Sequence, residues 1–293
     1  MTDASTVTTT TTATTGDAAA SPASLPVVGA ALRVADLPAY AEWLVGDQRD
    51  LEIQDPYDPQ VLDGDWQALV REARALLDGY QGRLGVHGPF FGIDIIGADP
   101  KLRQVVVERL RRGVEIAHAL GGSHMVVHSP FEFFGHPMLC HTPAMGLPLE
   151  IELVQQTLAP VVEMAQQAGV TLVLENIRDT NTFPLKTLVS SFGTDVVRMS
   201  LDTGHALVTH QIGGASPDQW VRDAGPLLAH LHLQDTDGLW DRHWAPGRGA
   251  LNWYALFEAL AALPHRPRLL LEMRDPADVA RGAGWLRAQR FVR

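Results

Sequence analysis

Residues 149–175 read LEIELVQQTLAPVVEMAQQAGVTLVLE, and the two halves of this stretch decide the fold. Leu149–Ala168 carries apolar residues three and four apart, the pattern of an amphipathic helix, and Gly169 closes it. Val170–Glu175 follows at once as a short run of Val and Leu with little polar alternation. That is how a parallel strand buried on both faces reads. The run finishes in an acid.

Outward from this unit the alternation repeats. Pro26–Leu32, Asp50–Gln54, Gly82–His87, Ser123–His128, Val170–Glu175, Val196–Asp202, Leu228–Leu233 and Arg268–Glu272 make eight apolar runs. Helical segments fill the gaps. Asp99-Pro100 opens one at Lys101–Leu120, which ends at Gly121-Gly122. Asn252–Leu263 is another, capped by Asn252 and stopped by Pro264. Eight strand–helix units in one domain predict a parallel sheet closed into a single (β/α)8 TIM barrel over residues 25–293. No Gly-x-Gly-x-x-Gly follows the first strand, so an open dinucleotide-binding sheet lacks its main signature.

The bulk numbers agree with a globular protein with a substantial core: 46% of the 293 residues are hydrophobic and 19% charged. A net charge of -11, with only Lys101 and Lys186 as lysines, argues against a phosphate-backbone partner. Cys140 is the single cysteine, so no intrachain disulfide forms and a reducing, cytoplasmic setting is expected. Residues 1–24 are a Thr/Ala/Ser tract without the parts of a secretory signal, read as a disordered tail. No stretch has the apolar length of a membrane span. The oligomeric state leaves no mark in composition.

Chemistry shows in how the strands end. Glu52, His87, His128, Glu175, Asp202, His232 and Glu272 stand at the ends of seven of the eight runs, separated by 35, 41, 47, 27, 30 and 40 residues. In a barrel those ends meet on one face, where active sites of this fold lie. Converging carboxylates repel and converging imidazoles lose their water unless a cation sits between them. A divalent metal is therefore expected, one to three ions per chain. The mix of imidazole and carboxylate favours Zn2+ or Mn2+ over Mg2+ or Ca2+. Asp202 and His205 lie three apart across a strand-to-loop turn, and His230 and His232 alternate onto one side. Asp241 and His243, ahead of Pro246-Gly247-Arg248-Gly249, add a further acid and imidazole. His118, His210, His265, His136 and His141 fall on helices or loops and read as surface residues, with His136 and His141 on a long loop after the fourth strand that could reach the site.

These motifs resemble the xylose isomerase-like barrels, over roughly residues 26–275. His87-Gly88-Pro89-Phe90, Val126-Val127-His128, Leu174-Glu175-Asn176, Leu201-Asp202-Thr203-Gly204-His205, His232-Leu233-Gln234-Asp235, Asp241-Arg242-His243 and Leu271-Glu272-Met273 carry the resemblance. In the epimerase and dehydratase branches it implies a metal held by Glu175, Asp202, His232 and Glu272. Glu175 and Glu272 would double as the proton-transferring pair, with His205 polarising a substrate oxygen. In the endonuclease IV branch it implies a wider zinc cluster that also uses His87, His128, His205, Asp241 and His243. Arg248 stands where the family usually has Glu.

Three readings follow: a metal-dependent isomerase, epimerase or dehydratase of a sugar, sugar phosphate or polyol; a phosphodiester hydrolase on abasic DNA; or a repurposed barrel. Glu52 at the second strand and the acidic balance favour the sugar reading, with Glu52, Phe90, Arg242, Arg248 and Trp244 as candidate substrate contacts. Arg274 is a further candidate for an anionic group, and Trp240, Trp244 and Trp253 a candidate apolar wall.

Overall fold

The computed structural model describes residues 25–131 and 143–293. The expected tail, Cys140, His136 and His141 lie outside them. Eight strands, β1 (Gly29–Leu32), β2 (Leu51–Ile53), β3 (Leu84–His87), β4 (His124–His128), β5 (Thr171–Glu175), β6 (Val197–Asp202), β7 (Leu228–Leu233) and β8 (Arg268–Leu271), pair in parallel and in chain order. β8 returns to β1, with Gly29 opposite Leu270, and closes the barrel. Each strand lies inside or at the edge of an expected run.

Among the described residues ten helices surround the strands: α1 (Leu37–Gly46), α2 (Pro59–Asp63), α3 (Trp66–Leu76), α4 (Pro100–Leu120), α5 (Pro143–Ala168), α6 (Thr182–Ser191), α7 (Thr203–His210), α8 (Pro217–Ala224), α9 (Trp253–Ala261) and α10 (Asp278–Ala288). Their ends follow the local chemistry. Asp99 caps α4 through Lys101 N and Leu102 N at 2.8 and 3.4 Å, and Gly121 leaves it at φ +79°. Asn252 caps α9 through Ala255 N at 3.1 Å. α5 begins earlier than the expected Leu149 and continues through Pro148 and Pro160, so the loss of a backbone donor at each proline does not end it. None of these helices is long and apolar enough to cross a membrane.

Strand alternation sorts the side chains into two sets. Val86, Met125, Val127, Leu172, Leu174, Leu201, Leu231 and Leu271 join the hydrophobic layer between sheet and helices. The opposite set fills the barrel's inside, and there Ala31, Gly85, Val126 and Val173 alternate or register with acids and imidazoles. Small neighbours leave room for a polar interior above a conventional core.

Candidate metal centre

Parallel order brings the C-terminal ends of all eight strands to one face. Register then makes neighbours of the candidate residues: His128 pairs with Glu175 across β4 and β5, and Asp202 with His232 across β6 and β7. His232, fully buried, stands at the middle of the cup. Its Nδ1 lies 3.0 Å from Glu175 Oε2 and 3.3 Å from Glu272 Oε2. Neither contact is aligned as a hydrogen bond: His232 Nδ1, Glu175 Oε2 and Asp202 Oδ2 are all buried without a partner.

These atoms crowd one point instead of pairing with each other. Atoms held about 2.1 Å from a single ion stand about 3.0–3.4 Å apart in octahedral or tetrahedral shells. The spacing around His232 matches. Each buried polar atom left unpaired costs about 1–3 kcal/mol, a penalty that one divalent cation removes at three atoms together. Glu175, Asp202 and His232 fit such an ion in donor type and burial, with ligand atoms inside 4.8 Å of one another, and Glu272 Oε2 approaches the same His232 nitrogen at 3.3 Å.

Two further groups flank this centre. His87 and His128 lie on the β3–β4 side, their Nε2 atoms 3.4 Å apart, within reach of Glu175. On the other side Asp241 lies between two imidazoles, with His243 Nε2 at 3.0 Å from Oδ2 and His205 Nε2 at 3.5 Å from Oδ1. The ligand atoms within each group lie inside 4.8 Å of one another.

Local structure aims these side chains. Asp202 ends β6 and caps α7, its Oδ1 accepting from His205 N at 2.7 Å while Oδ2 stays free. His205, in the first turn of α7, sets Nδ1 3.0 Å from Asn176 O and so turns Nε2 toward Asp241. His243 adopts a left-handed backbone (φ +50°), a strained state for a non-glycine residue. Gln234 holds it there, accepting from His243 N at 3.0 Å while donating to Asp202 Oδ1 at 3.1 Å and Asp241 Oδ1 at 2.8 Å. Gly204 makes that link possible, since a Cβ there would fall 2.3 Å from the Gln234 side chain.

Charge in the cup is polarised. Burial lowers the His232 pKa, but Glu272, Glu175 and Glu52 outweigh it and hold the imidazole well above its ordinary value. Burial and then the charge of Glu175 push Asp202 up to about 6, against His205. His128 goes the other way, down to about 3, chiefly from burial and then from His87, so its lone pair is free through the neutral range. The field that gathers protons onto His232 also favours a divalent cation.

The remaining candidates divide. Glu52, expected at the substrate, is fully buried one layer deeper, where its oxygens meet His232 and His230 at 2.9 and 3.1 Å. The structure thus places it behind His232 and not on the open side of the cup. Phe90 stacks on His128 at 4.7 Å between centroids and edges His87 at 5.3 Å, with Tyr57 beside it. Arg242 and Arg248 flank Trp244 at 5.3 and 5.9 Å from its ring, and are paired with Asp237 and Asp278. Arg274 donates to Asp241 O at 3.0 Å. Trp253 is no part of a mouth wall: it is buried, and its indole donates to Asp235 Oδ2 at 3.0 Å. His118, His210 and His265 each face a backbone carbonyl, at 3.0, 2.8 and 2.5 Å.

Sequence reasoning did not single out Gln54, His124, Asn176 or Gln234 as parts of the site. Asn176 and Gln234 had a signal, standing one and two positions after Glu175 and His232. Gln54 donates to Glu272 Oε1 at 2.7 Å.

The chain belongs to the xylose isomerase-like TIM barrel family, whose sequence profile matches residues 40–289. It is similar to a D-psicose 3-epimerase of Ruminiclostridium cellulolyticum, 24% identical over 216 residues that cover 69% of this chain and 67% of that one. A 3-dehydro-D-guloside 4-epimerase of Escherichia coli K12 is 24% identical over 191 residues, 62% of this chain and 70% of that one. Among solved structures, a Thermus thermophilus protein soaked with ZnCl2 superposes with a TM-score of 0.69 at 29% identity, covering 89% of this chain and 96% of that one.

Proposed function

We propose that this protein is a divalent-metal-dependent isomerase or epimerase acting on a sugar, sugar phosphate or related polyol. The observation that carries the reading is the pair Glu175 and Glu272, two carboxylates from β5 and the end of β8 whose Oε2 atoms approach one imidazole nitrogen at 3.0 and 3.3 Å. Glu175, Asp202, His232 and Glu272 would hold the metal, with Zn2+ or Mn2+ suiting the donor set. When bound, the ion supplies positive charge against which adjacent substrate oxygens develop negative charge.

The protein's own groups then move the proton. One of the two glutamates removes it from the carbon next to the carbonyl, leaving an enediolate, and the other returns it to that carbon or its neighbour. Gln54, on Glu272 Oε1, keeps that carboxylate oriented with its second oxygen toward the cup. His205 donates Nδ1–H to Asn176 O. Burial lowers its pKa, but Asp202, Asp241 and Glu175 outweigh that and hold it protonated, so Nε2–H is a second donor, available to a substrate oxygen. Phe90 and Tyr57 supply an apolar side wall suited to the C–H face of a sugar.

The test is proton exchange. Purified protein reconstituted with Mn2+ or Zn2+ is incubated in D2O with a panel of ketoses, aldoses and their phosphates, and deuterium at the carbon beside the carbonyl is followed by NMR. Wash-in for at least one class is expected, and it stops with chelator. No exchange across the panel, together with cleavage of an abasic-site duplex, overturns the reading.

A second reading, a phosphodiester hydrolase with a three-metal centre, is favoured by one observation. The groups around His87 and His128, and around His205, Asp241 and His243, each bring a full set of ligand atoms together. Arg242 and Arg248 weigh against it, because both guanidiniums are already paired with carboxylates.

A further inference from the structure

Glu52 sits below the cup in a place where a carboxylate is costly. An ion removed from water loses several kcal/mol of solvation unless close partners restore it. Here two strands, β7 and β4, supply those partners. Glu52 Oε1 stands 2.9 Å from His232 Nε2, and Oε2 stands 3.1 Å from His230 Nε2 and 3.5 Å from His124 Nε2. His230 is fixed from its far side by Ser200 Oγ, 2.8 Å from Nδ1. His124 fits because Gly85, the register neighbour of Glu52 on β3, has no side chain: a Cβ there would fall 2.0 Å from the imidazole. Glu52, His124 and His230 are all fully buried.

The consequence lies on the other side of His232. An imidazole that donates Nε2–H to Glu52 has its lone pair on Nδ1, the atom that faces Glu175 and Glu272. We propose that Glu52 is a positioning residue of the metal centre: it fixes the His232 ring and its Nε2–H tautomer, so that Nδ1 is the ligand atom. His230 holds the second oxygen of Glu52 and keeps its first aimed at His232, with His124 packed beside that second oxygen. The inference rests on the metal-centre reading above and assigns a role to a residue that touches neither substrate nor metal. Buried outer carboxylates of this kind orient histidine ligands and raise their basicity, and losing one weakens metal binding about 10–100-fold.

Two measurements test it. Zinc affinity is determined by chelator competition for the wild type and for Glu52→Gln, and Co2+ absorption spectra are recorded on both. A Kd weaker by about 10–100-fold and an altered Co2+ spectrum are expected in the variant, with its thermal midpoint little changed. Equal affinity and identical spectra overturn the proposal. The second measurement uses wild-type protein alone, so a folding defect cannot obscure it. In 113Cd-loaded, 15N-histidine-labelled protein, His232 is expected to couple to cadmium through Nδ1 and to keep a slowly exchanging Nε2 proton. Coupling through Nε2 overturns the role of Glu52 while leaving the metal centre standing. A wild type that binds neither Zn2+, Co2+ nor Cd2+ sinks the metal reading itself.

Discussion

Asp202 accepts the backbone N–H of His205 on one carboxylate oxygen at 2.7 Å and leaves the other buried with no partner. The first oxygen caps α7 and the second faces the cup, so one side chain serves helix and centre separately. Asp202→Asn keeps an oxygen for the cap and replaces the free oxygen by an NH2 that cannot ligate. Zinc affinity should fall by more than about a hundredfold, beyond the usual outer-residue loss, while the thermal midpoint of metal-free protein stays or rises. Asp202→Ala should also lose the cap, at about 1 kcal/mol. Titration calorimetry and thermal melts on both variants separate the roles. Equal zinc affinity in wild type and Asp202→Asn removes Asp202 from the ligand set.

Glu175 and Glu272 should behave alike in chemistry and differently in binding. Glu175 is the more deeply buried and is shared by two ligand groups, whereas Glu272 lies nearer the lip with Gln54 on one oxygen. Glu175→Gln and Glu272→Gln should each slow deuterium exchange about 10²–10⁴-fold, the range lost with a positioned acid or base. Only Glu175→Gln should also disturb a second ion. Exchange rates measured at saturating metal check this, and wild-type rates in either variant remove that glutamate from proton transfer.

Much of this site is readable from strand ends alone, because the two-residue alternation of a strand fixes which side chains share a face. Glu175, Asp202, His232 and Glu272 all come from strand ends, and His232 Nδ1 lies 3.0 and 3.3 Å from the two glutamates. Alternation says nothing of depth along the barrel axis, which the stagger between strands sets. That is why Glu52, on a three-residue strand, lies a layer lower than its position suggests. His124 shares a face with His128, four residues on, but only Gly85 shows that its ring can enter the barrel. The left-handed turn at His243 and its tie to Gln234 come from tertiary contacts across the β7–α9 loop. Trp253 looks like a mouth residue in sequence because the loop is rich in Trp, yet Asp235 pulls its indole inward.

The number of ions decides between the two functional readings. His87 and His128 approach at 3.4 Å between Nε2 atoms, a contact in which at most one nitrogen carries a proton. His243 lies in the group on the far side. For the sugar reading, elemental analysis should find about one tightly held metal per chain, retained in both His87→Ala and His243→Ala. Two or three ions, with one lost in each variant, would shift the assignment to phosphodiester cleavage and make abasic DNA the first substrate to try.

Asp179 offers a test of electrostatics away from the ligand atoms. It is buried after β5 and accepts from Ser129 Oγ at 2.8 Å and Ile177 N at 3.1 Å. Burial pushes its carboxyl up to about 7 despite those hydrogen bonds. A free aspartate titrates near about 3.9. The folded state thus binds the proton more tightly than the unfolded chain, and the stability this brings is present below about pH 4 and lost as pH rises through 7. Asparagine at 179 never ionises. In chelator-treated protein, where no bound ion adds its field, Asp179→Asn should gain on the wild type between about pH 5 and pH 8. At roughly 2–4 °C per kcal/mol for a chain of this size, the gap should widen by several degrees in thermal melts. A gap that stays constant across that range would mean that Ser129 and Ile177 keep the carboxylate ionised, and that the loops after β4 and β5 are joined by a charge.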